Sequence, residues 1–303
     1  MKEIRLDADV RDTRIDTWLA SKLEEYSRSY IQKLIDDGLV TVNEEKAKSN
    51  YKLKEHDRVT VNIPEPQRLE VKAEEIELDI IYEDNDIVVV NKPKGMVVHP
   101  AEGNYTGTLV NALMKHCGES LSDINGIIRP GIVHRIDKDT TGVLVVAKNN
   151  NAHEKLSSRL KQHDIKRVYK ALVYGVIRED RGKIDAPIGR YPVDRKKMAV
   201  VTKGGRRAVT CFKVLERFKD ATFVELTLET GRTHQIRVHM SYIGHPVIGD
   251  VVYGPQRQKY EVNGQTLHAM SLGFIHPQTG EFVEFEAELP QYFLRLMDEL
   301  RSK

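Results

Sequence analysis

The run "PGIVHRIDKDTTGVLVVAK" (Pro130–Lys148) sets an arginine, a histidine and two carboxylates directly ahead of an apolar segment. An extended backbone over 134–137 places alternate side chains on one face. Arg135 and Asp137 then point one way, and His134 and Ile136 the other. A nearby cation favours the charged form of an aspartate. An ionised carboxylate on a loop before a rigid strand suits a nucleophile or a base. The same residues also suit a surface ion-pair cluster with Lys138 and Asp139, of the kind worth about 0–1 kcal/mol. Local sequence alone favours that plainer reading.

A second charged block changes the balance. "LETGRTHQIRVHMSYIGHPVIGD" (Leu228–Asp250) has a turn at Gly231 and a helix expected over 234–243, capped by Thr233 and ended by Gly244 and Pro246. Arg237 falls in its first turn, where the helix dipole disfavours a cation. Pairing with a buried anion would make that placement cheap. His234 and His239 are five apart, not the i, i+4 of a helical zinc pair, and no local carboxylate completes a ligand set. No metal site is expected.

These segments need rigid elements to hold them. "VLVVA" (143–147) reads as a buried strand, and "DTTG" before it is turn chemistry, with Gly142 free to take unusual angles. "DIIYEDNDIVVVNKP" reads as strand, turn, strand; "KRVYKALVYGVI", "RAVTCFKVLERF", "ATFVELTLET" and "EFVEFEAEL" add further strands rich in Val, Phe and Thr. "TLVNALMKHC" and "NAHEKLSSRLKQH" are helical. Strands predominate with helices interspersed, so residues 81–303 are expected to be α+β, with a large mixed, mainly antiparallel sheet.

Residues 1–63 read as a separate small unit. Ile15, Trp18, Leu19 and Leu23, then Ile31, Leu34 and Ile35, lie at helical spacing. Ser27 or Ser29 can cap the second helix, and Gly38 can end it. "LVTVN" and "DRVTVNI" alternate as strands. Two prolines and an acidic run over 64–80 predict an extended linker.

The 303 residues suit about two domains, and no apolar run approaches a membrane span. The N-terminus is charged and shows no signal peptide, and Cys117 and Cys211 lack metal spacing, so a reducing, cytoplasmic setting is expected. Net charge is −1 over residues 1–63, −7 over 64–86 and +10 over 87–303. A basic body raises the expectation of a polyanionic partner. No G-x-G-x-x-G or Walker A loop is present, so no nucleotide cofactor is expected.

With these segments in view, "GIVHRIDKDTTGVLVVAK" resembles the central motif of RNA pseudouridine synthases, in the branch that modifies large-subunit ribosomal RNA. "NKPKGMVVHP" (Asn91–Pro100) resembles the first motif of that family, "KRVYKALVYG" (Lys166–Gly175) its tyrosine segment and "GRTHQIRVH" (Gly231–His239) its third motif. Residues 1–63 are similar to the small RNA-binding module of a small-subunit ribosomal protein and of tyrosyl-tRNA synthetases. Ile136 stands where leucine is usual and Thr141 where serine is common. The resemblance implies a central catalytic cleft flanked by helices and loops. It implies Asp137 as catalytic aspartate, Arg237 as its salt-bridge partner, and Tyr169 and Ile236 on the two sides of the target uracil. Tyr169 is also implied in a late proton transfer, and Arg135 in extruding the base or filling the gap it leaves.

That reaction cleaves a carbon–nitrogen glycosidic bond, turns the uracil and rejoins it through carbon. No redox step occurs and no group leaves, so neither cofactor nor metal is required. The target must leave its stack at a cost of a few kcal/mol, which phosphate contacts help offset. The expected partner is RNA, most plausibly 23S rRNA, acted on by a monomer without membrane attachment. The alternatives are a tRNA-directed synthase, an assembly factor without catalysis, and a glycosidase, which normally needs two acids across its substrate. Asp139 is the only nearby second acid.

Further RNA contacts are expected from "RYPVDRKKMAVVTKGGRRA" (Arg190–Ala208), which holds seven basic residues and one acid around a Gly204-Gly205 hairpin tip. Arg195, Lys196, Lys197, Arg206 and Arg207 are the candidates there. Arg14, Arg28 and Lys33 are candidates on the N-terminal unit. Neutralising three of the hairpin residues should weaken RNA binding and flatten its salt dependence by about two to three units of log–log slope. Unchanged affinity at every salt concentration would contradict the assignment.

Overall fold

Alternating apolar residues make strands the dominant element, and the two faces of the main sheet are sealed by different helices. The computed structural model describes residues 2–64, 71–101, 103–118, 120–124, 129–194 and 197–303. The chain divides into two units, Met1–Leu69 and Glu70–Lys303. No helix among the described residues is long and apolar enough to cross a membrane.

The first unit contains β1 (Lys2–Asp7), α1 (Ile15–Lys22), α2 (Arg28–Asp36), β2 (Val40–Val42), β3 (Glu45–Lys46) and β4 (Arg58–Ile63). Its strands form an antiparallel sheet in the order β1-β4-β2-β3. Ile15, Trp18, Leu19, Ile31, Leu34 and Ile35 from the two helices meet Val40, Val59 and Val61 in one core. Ser27 caps α2, its Oγ accepting from the Tyr30 N–H. Gly38 then turns the chain at φ +71°, a conformation that suits glycine. Strand β1 escapes sequence reading because "KEIRLD" is an edge strand with no fully buried residue.

Asp16 ties this unit together. Its side chain is fully buried, and it accepts from Arg14 at 3.0 and 3.1 Å, Arg28 at 2.9 and 3.2 Å, and Gln32 at 2.7 Å. Burial pushes its pKa up, but those donors outweigh burial and hold the carboxyl well below the usual range.

The second unit is built on a nine-stranded sheet. Its strands are β5 (Ile80–Glu83), β6 (Ile87–Lys92), β7 (Thr141–Ala147), β8 (Lys166–Tyr174), β9 (Arg181–Asp185), β12 (Val209–Arg217), β13 (Ala221–Leu228), β14 (Leu267–Ile275) and β15 (Phe282–Glu286). They run in the order β5-β6-β7-β14-β8-β13-β12-β9, with β15 also paired to β14. Only β7 and β14 are parallel. A separate hairpin joins β10 (Ile188–Arg190) to β11 (Met198–Val200). The helices are α3 (Leu109–Cys117), α4 (Asn150–Gln162), α5 (Gln235–Tyr242) and α6 (Gln291–Arg301).

The period-2 alternation of strands explains why "VLVVA" is buried throughout. Leu144 and Val146 join Val88, Val90, Tyr169 and Leu226 beneath α3 and α5, through Leu109, Leu113, Ile236 and Met240. Val143 and Val145 face the other way, against Ala152 and Leu156 of α4. Farther along the sheet, Leu172 and Phe223 pack on Phe293 and Leu296 of α6. Residues 71–79 carry no helix or strand, yet Val71 is buried and Asn111 of α3 donates to the Lys72 carbonyl at 2.7 Å.

The folded pKa of Asp16 lies below its unfolded value, so its contribution is complete above about pH 4 and is lost as pH falls through the folded value. Asp16→Asn should cost roughly 1–3 kcal/mol at neutral pH, and the difference from wild type should shrink in acid. Urea unfolding at pH 7 and pH 3 tests this, and a pH-independent difference would contradict it.

Candidate active site

Strand β7, the start of α5 and the middle of β8 bring the chemically suggestive residues to one cavity of about 540 Å³. It is lined by Arg135, Asp137, Tyr169, Ile236 and Arg237, together with His134, Arg167, Arg232 and His234. The five residues implied by resemblance, separated by up to about a hundred positions in sequence, therefore share one space.

Asp137 sits on the loop entering β7. Backbone hydrogen bonds and Lys92 fix that loop. The Thr140 N–H donates to the Asp137 carbonyl at 3.1 Å. The Lys92 ammonium donates to the carbonyls of Pro93, Met96 and Lys138 at 2.7, 2.8 and 3.0 Å. Burial pushes the Lys92 pKa down to about 7, opposed by Asp139 and Asp137. Gly142 follows at φ +110°, and a Cβ there would lie 2.1 Å from the Ala269 carbonyl oxygen on β14. Glycine is needed here both for backbone angle and for strand approach.

Arg237 lies within the first turn of α5 and is 5% exposed. Its Nη1 donates to Asp137 Oδ2 at 2.9 Å. Its Nε and Nη2 grip Asp250 at 2.7 and 2.9 Å, while the Tyr253 ring lies 5.1 Å from the guanidinium carbon. Asp250 is fully buried and also accepts from the Val252 and Tyr253 N–H groups. Burial pushes the Asp250 pKa up, but Arg237 brings it below the usual range; the same contacts raise Arg237 against its own burial. The fork of the guanidinium is thus spent on Asp250, and one remaining donor reaches Asp137. Asp137 Oδ1 has no hydrogen-bond partner among the described residues, and His234 Nε2 stands 3.8 Å away.

Helix α5 begins at Gln235, with His234 rather than Thr233 in the cap position and in a left-handed conformation. The cap differs because Gln235 takes over the polar work: its side-chain oxygen accepts from the Arg232 N–H and the Thr230 hydroxyl. His234 Nδ1 pairs with the Tyr253 hydroxyl at 2.8 Å. His239 is buried between Thr210 and the Ala186 carbonyl, each 2.9 Å away. Neither histidine stands with a free ligand set. Among the described residues, Glu83, His116 and Cys117 converge within 4.8 Å, but Lys148 already holds Glu83 at 2.6 Å and none of them lines the cavity.

Tyr169 is 9% exposed, and burial pushes its pKa up to about 12, so its phenol is neutral. Ile236 packs beside it in the same core. Arg135 is exposed at the cavity wall. Asp139 does not line the cavity. Of the hairpin candidates, Arg206 and Arg207 are exposed and Lys197 is half-buried; Arg195 and Lys196 lie outside the described residues. None of the three described ones lines the cavity. Arg14 and Arg28 are fastened to Asp16 with their side chains about half exposed, and Lys33 is exposed.

Asp250, Lys92, Arg167 and Tyr253 are the residues that sequence reading missed. A cation in a first helical turn signals a buried anion, but nothing in "HPVIGD" marks Asp250 as that partner. Asp250→Ala should destabilise the protein by roughly 2–4 kcal/mol, because it strips the bidentate acceptor from a buried guanidinium. A loss below about 1 kcal/mol in urea unfolding would show that Arg237 does not depend on it.

Residues 86–242 match the RNA pseudouridylate synthase family, and residues 13–59 match the S4 domain. The chain is 56% identical over 300 residues to an uncharacterized RNA pseudouridine synthase of Bacillus subtilis, covering 99% of this chain and 98% of that protein. It is 46% identical to ribosomal large subunit pseudouridine synthase D of Zymomonas mobilis, covering 96% and 94%. Among solved structures, human RNA pseudouridylate synthase domain containing 4 superposes with a TM-score of 0.58 at 28% identity, covering 73% of this chain and 92% of that one. The cavity, its fold and these likenesses converge: the chain belongs to the RNA pseudouridine synthases and carries an S4 RNA-binding domain at its N-terminal end.

Proposed function

We propose that this enzyme converts specific uridines of large-subunit ribosomal RNA to pseudouridine, with Asp137 as the group that acts on the ribose. One observation carries the catalytic part. Asp137 is the only carboxylate among the described residues lining the cavity, and Arg237 engages one of its oxygens while the other accepts no hydrogen bond from a described residue. A two-acid hydrolytic arrangement would need a second carboxylate across the substrate. Asp139 does not line the cavity, and Asp250 is buried and bound by Arg237.

The everted uridine enters between Tyr169 and Ile236, whose apolar surfaces hold the uracil once its bond to the sugar is cut. Asp137 meets the ribose either by attack at the anomeric carbon or by taking a sugar proton to give a glycal; both routes end in carbon–carbon reattachment with no group lost. Arg237 positions the carboxylate and, through Asp250, is itself prevented from swinging into the cavity. Tyr169 is a neutral phenol in the free enzyme, so it serves first as a wall of the cavity and as a donor; its part in proton transfer belongs after the base has turned. Arg135 takes the space vacated in the RNA stack.

The ribosomal target rests on relatives named for the large ribosomal subunit, and on the +10 charge of residues 87–303. The S4 domain adds phosphate contacts through Arg14, Arg28 and Lys33, and the hairpin adds more through Arg195, Lys196, Lys197, Arg206 and Arg207.

Incubation with uridine-labelled ribosomal RNA, followed by nucleoside chromatography, should yield pseudouridine. Free uracil would indicate hydrolysis, and unchanged uridine a binding protein. Asp137→Asn should lower turnover by roughly a thousandfold or more while RNA affinity stays within about twofold. Retained turnover would remove Asp137 from the chemistry.

A further inference from the structure

Arg167 stands two residues before Tyr169 on β8, so both side chains share a face of the sheet, and both line the cavity. It is 7% exposed. Among the described residues its Nε is buried without a hydrogen-bond partner, and its Nη2 reaches only the Leu228 carbonyl at 3.5 Å. Burial pushes its pKa down, with only Tyr169 opposing the shift and no carboxylate doing so. Arg237, in the same cavity, has two carboxylates within 3 Å. Buried charges are ordinarily paired, because an unpaired one carries a heavy desolvation cost.

The surroundings deepen the contrast. Lys161, His163 and Arg232 line the same cavity as Arg167, and among the described residues Asp137 is the only acid to do so. Burial first, then the positive charges of Arg167, Arg232 and Arg207, push the His163 pKa down. Gly231 has ordinary backbone angles, yet a Cβ there would lie 2.7 Å from Arg167 Nη1. Glycine at 231 serves space beside the guanidinium rather than backbone conformation.

We propose that Arg167 is the centre of a phosphate subsite inside the cavity, which takes a phosphodiester adjoining the everted uridine. This rests on the reading of the cavity as the uridine site. A uracil carbonyl would satisfy the N–H groups but leave the charge uncompensated, whereas the phosphodiester is the formal anion that RNA carries at every nucleotide. Arg232 and Lys161 supply secondary cations, and Gly231 leaves room for the guanidinium that receives the phosphate. The cost of an unpaired buried cation is borne in the free enzyme and removed when RNA binds, so affinity is concentrated on nucleotides that have left the stack.

The test pairs an RNA oligonucleotide containing the mapped target with versions carrying one neutral methylphosphonate, placed 5′ or 3′ of the target uridine. For the wild-type enzyme, one of the two replacements should lower kcat/KM by about 10- to 100-fold. In Arg167→Met the same replacement should cost under about twofold, and Arg167→Lys should retain most of the sensitivity. Affinities measured in an Asp137→Asn background should show the same pattern, which separates loss of phosphate contact from loss of chemistry. Free Arg167→Met should melt at or above the wild-type temperature, since it sheds an unpaired buried charge; an arginine serving the fold would lower it. Equal penalties in wild type and Arg167→Met, no penalty in either, or a free variant that melts well below wild type would each overturn the proposal.

Discussion

A single guanidinium shared by two carboxylates fixes the candidate active site. Arg237 directs its bidentate fork at buried Asp250 and offers one remaining N–H to Asp137. Bidentate pairing adds geometric restraint to charge, so Asp250 sets the orientation of Arg237 and Arg237 sets that of Asp137. Lys92 lies near enough to feel Asp137 and Asp139, and it also laces together three backbone carbonyls beneath the loop. The carboxylate is thereby held on both sides: its charge by α5, its backbone by β6 and the loop that follows it.

The sheet gives these restraints something rigid to act against. Strand β14 lies at the centre, parallel to β7 and antiparallel to β8, so Asp137, just before β7, and Tyr169, on β8, flank one strand. Gly142 permits the close approach of β7 to β14 at Ala269, at the point where the loop carrying Asp137 ends. Apolar residues on both faces bury the central strands β6 and β7, and several of the polar side chains that remain inside bond across neighbouring strands. Thr141 and His268, for example, bond across the parallel pair at 2.7 Å.

Much of this was legible in the residues. The alternating apolar strands, the helices at 15–22, 28–36, 109–117 and 150–162, and the Ser27 cap follow directly from periodicity and capping chemistry. Strand β14 was not legible, because "LHAMSLGFI" interrupts its apolar pattern with His268, Ser271 and Gly273, whose partners lie on neighbouring strands. Helix α6 and the short strands β9 to β11 also escaped, since their burial depends on tertiary neighbours. Within the site, Arg237 stood out as a cation in the first turn of α5, whereas Asp137, Tyr169 and Ile236 are locally ordinary and were singled out by the resemblance of their motifs. Asp250 and Arg167 were not: each is ordinary in local sequence, and only the fold shows one fully paired and the other without a counterion among the described residues.

On the proposed function, the chemistry reduces to presenting one carboxylate oxygen to the sugar of a nucleotide drawn out of its stack, in a cavity whose walls keep the detached base. The most direct measurement is a structure of the full-length protein bound to an RNA stem-loop that contains its target uridine. The account requires the uracil to lie between Tyr169 and Ile236, the ribose to come within about 3.5 Å of Asp137, and the Arg237–Asp250 fork to remain closed. A target nucleotide still stacked in the RNA, or an Arg237 that has left Asp137 to bind the substrate, would contradict it.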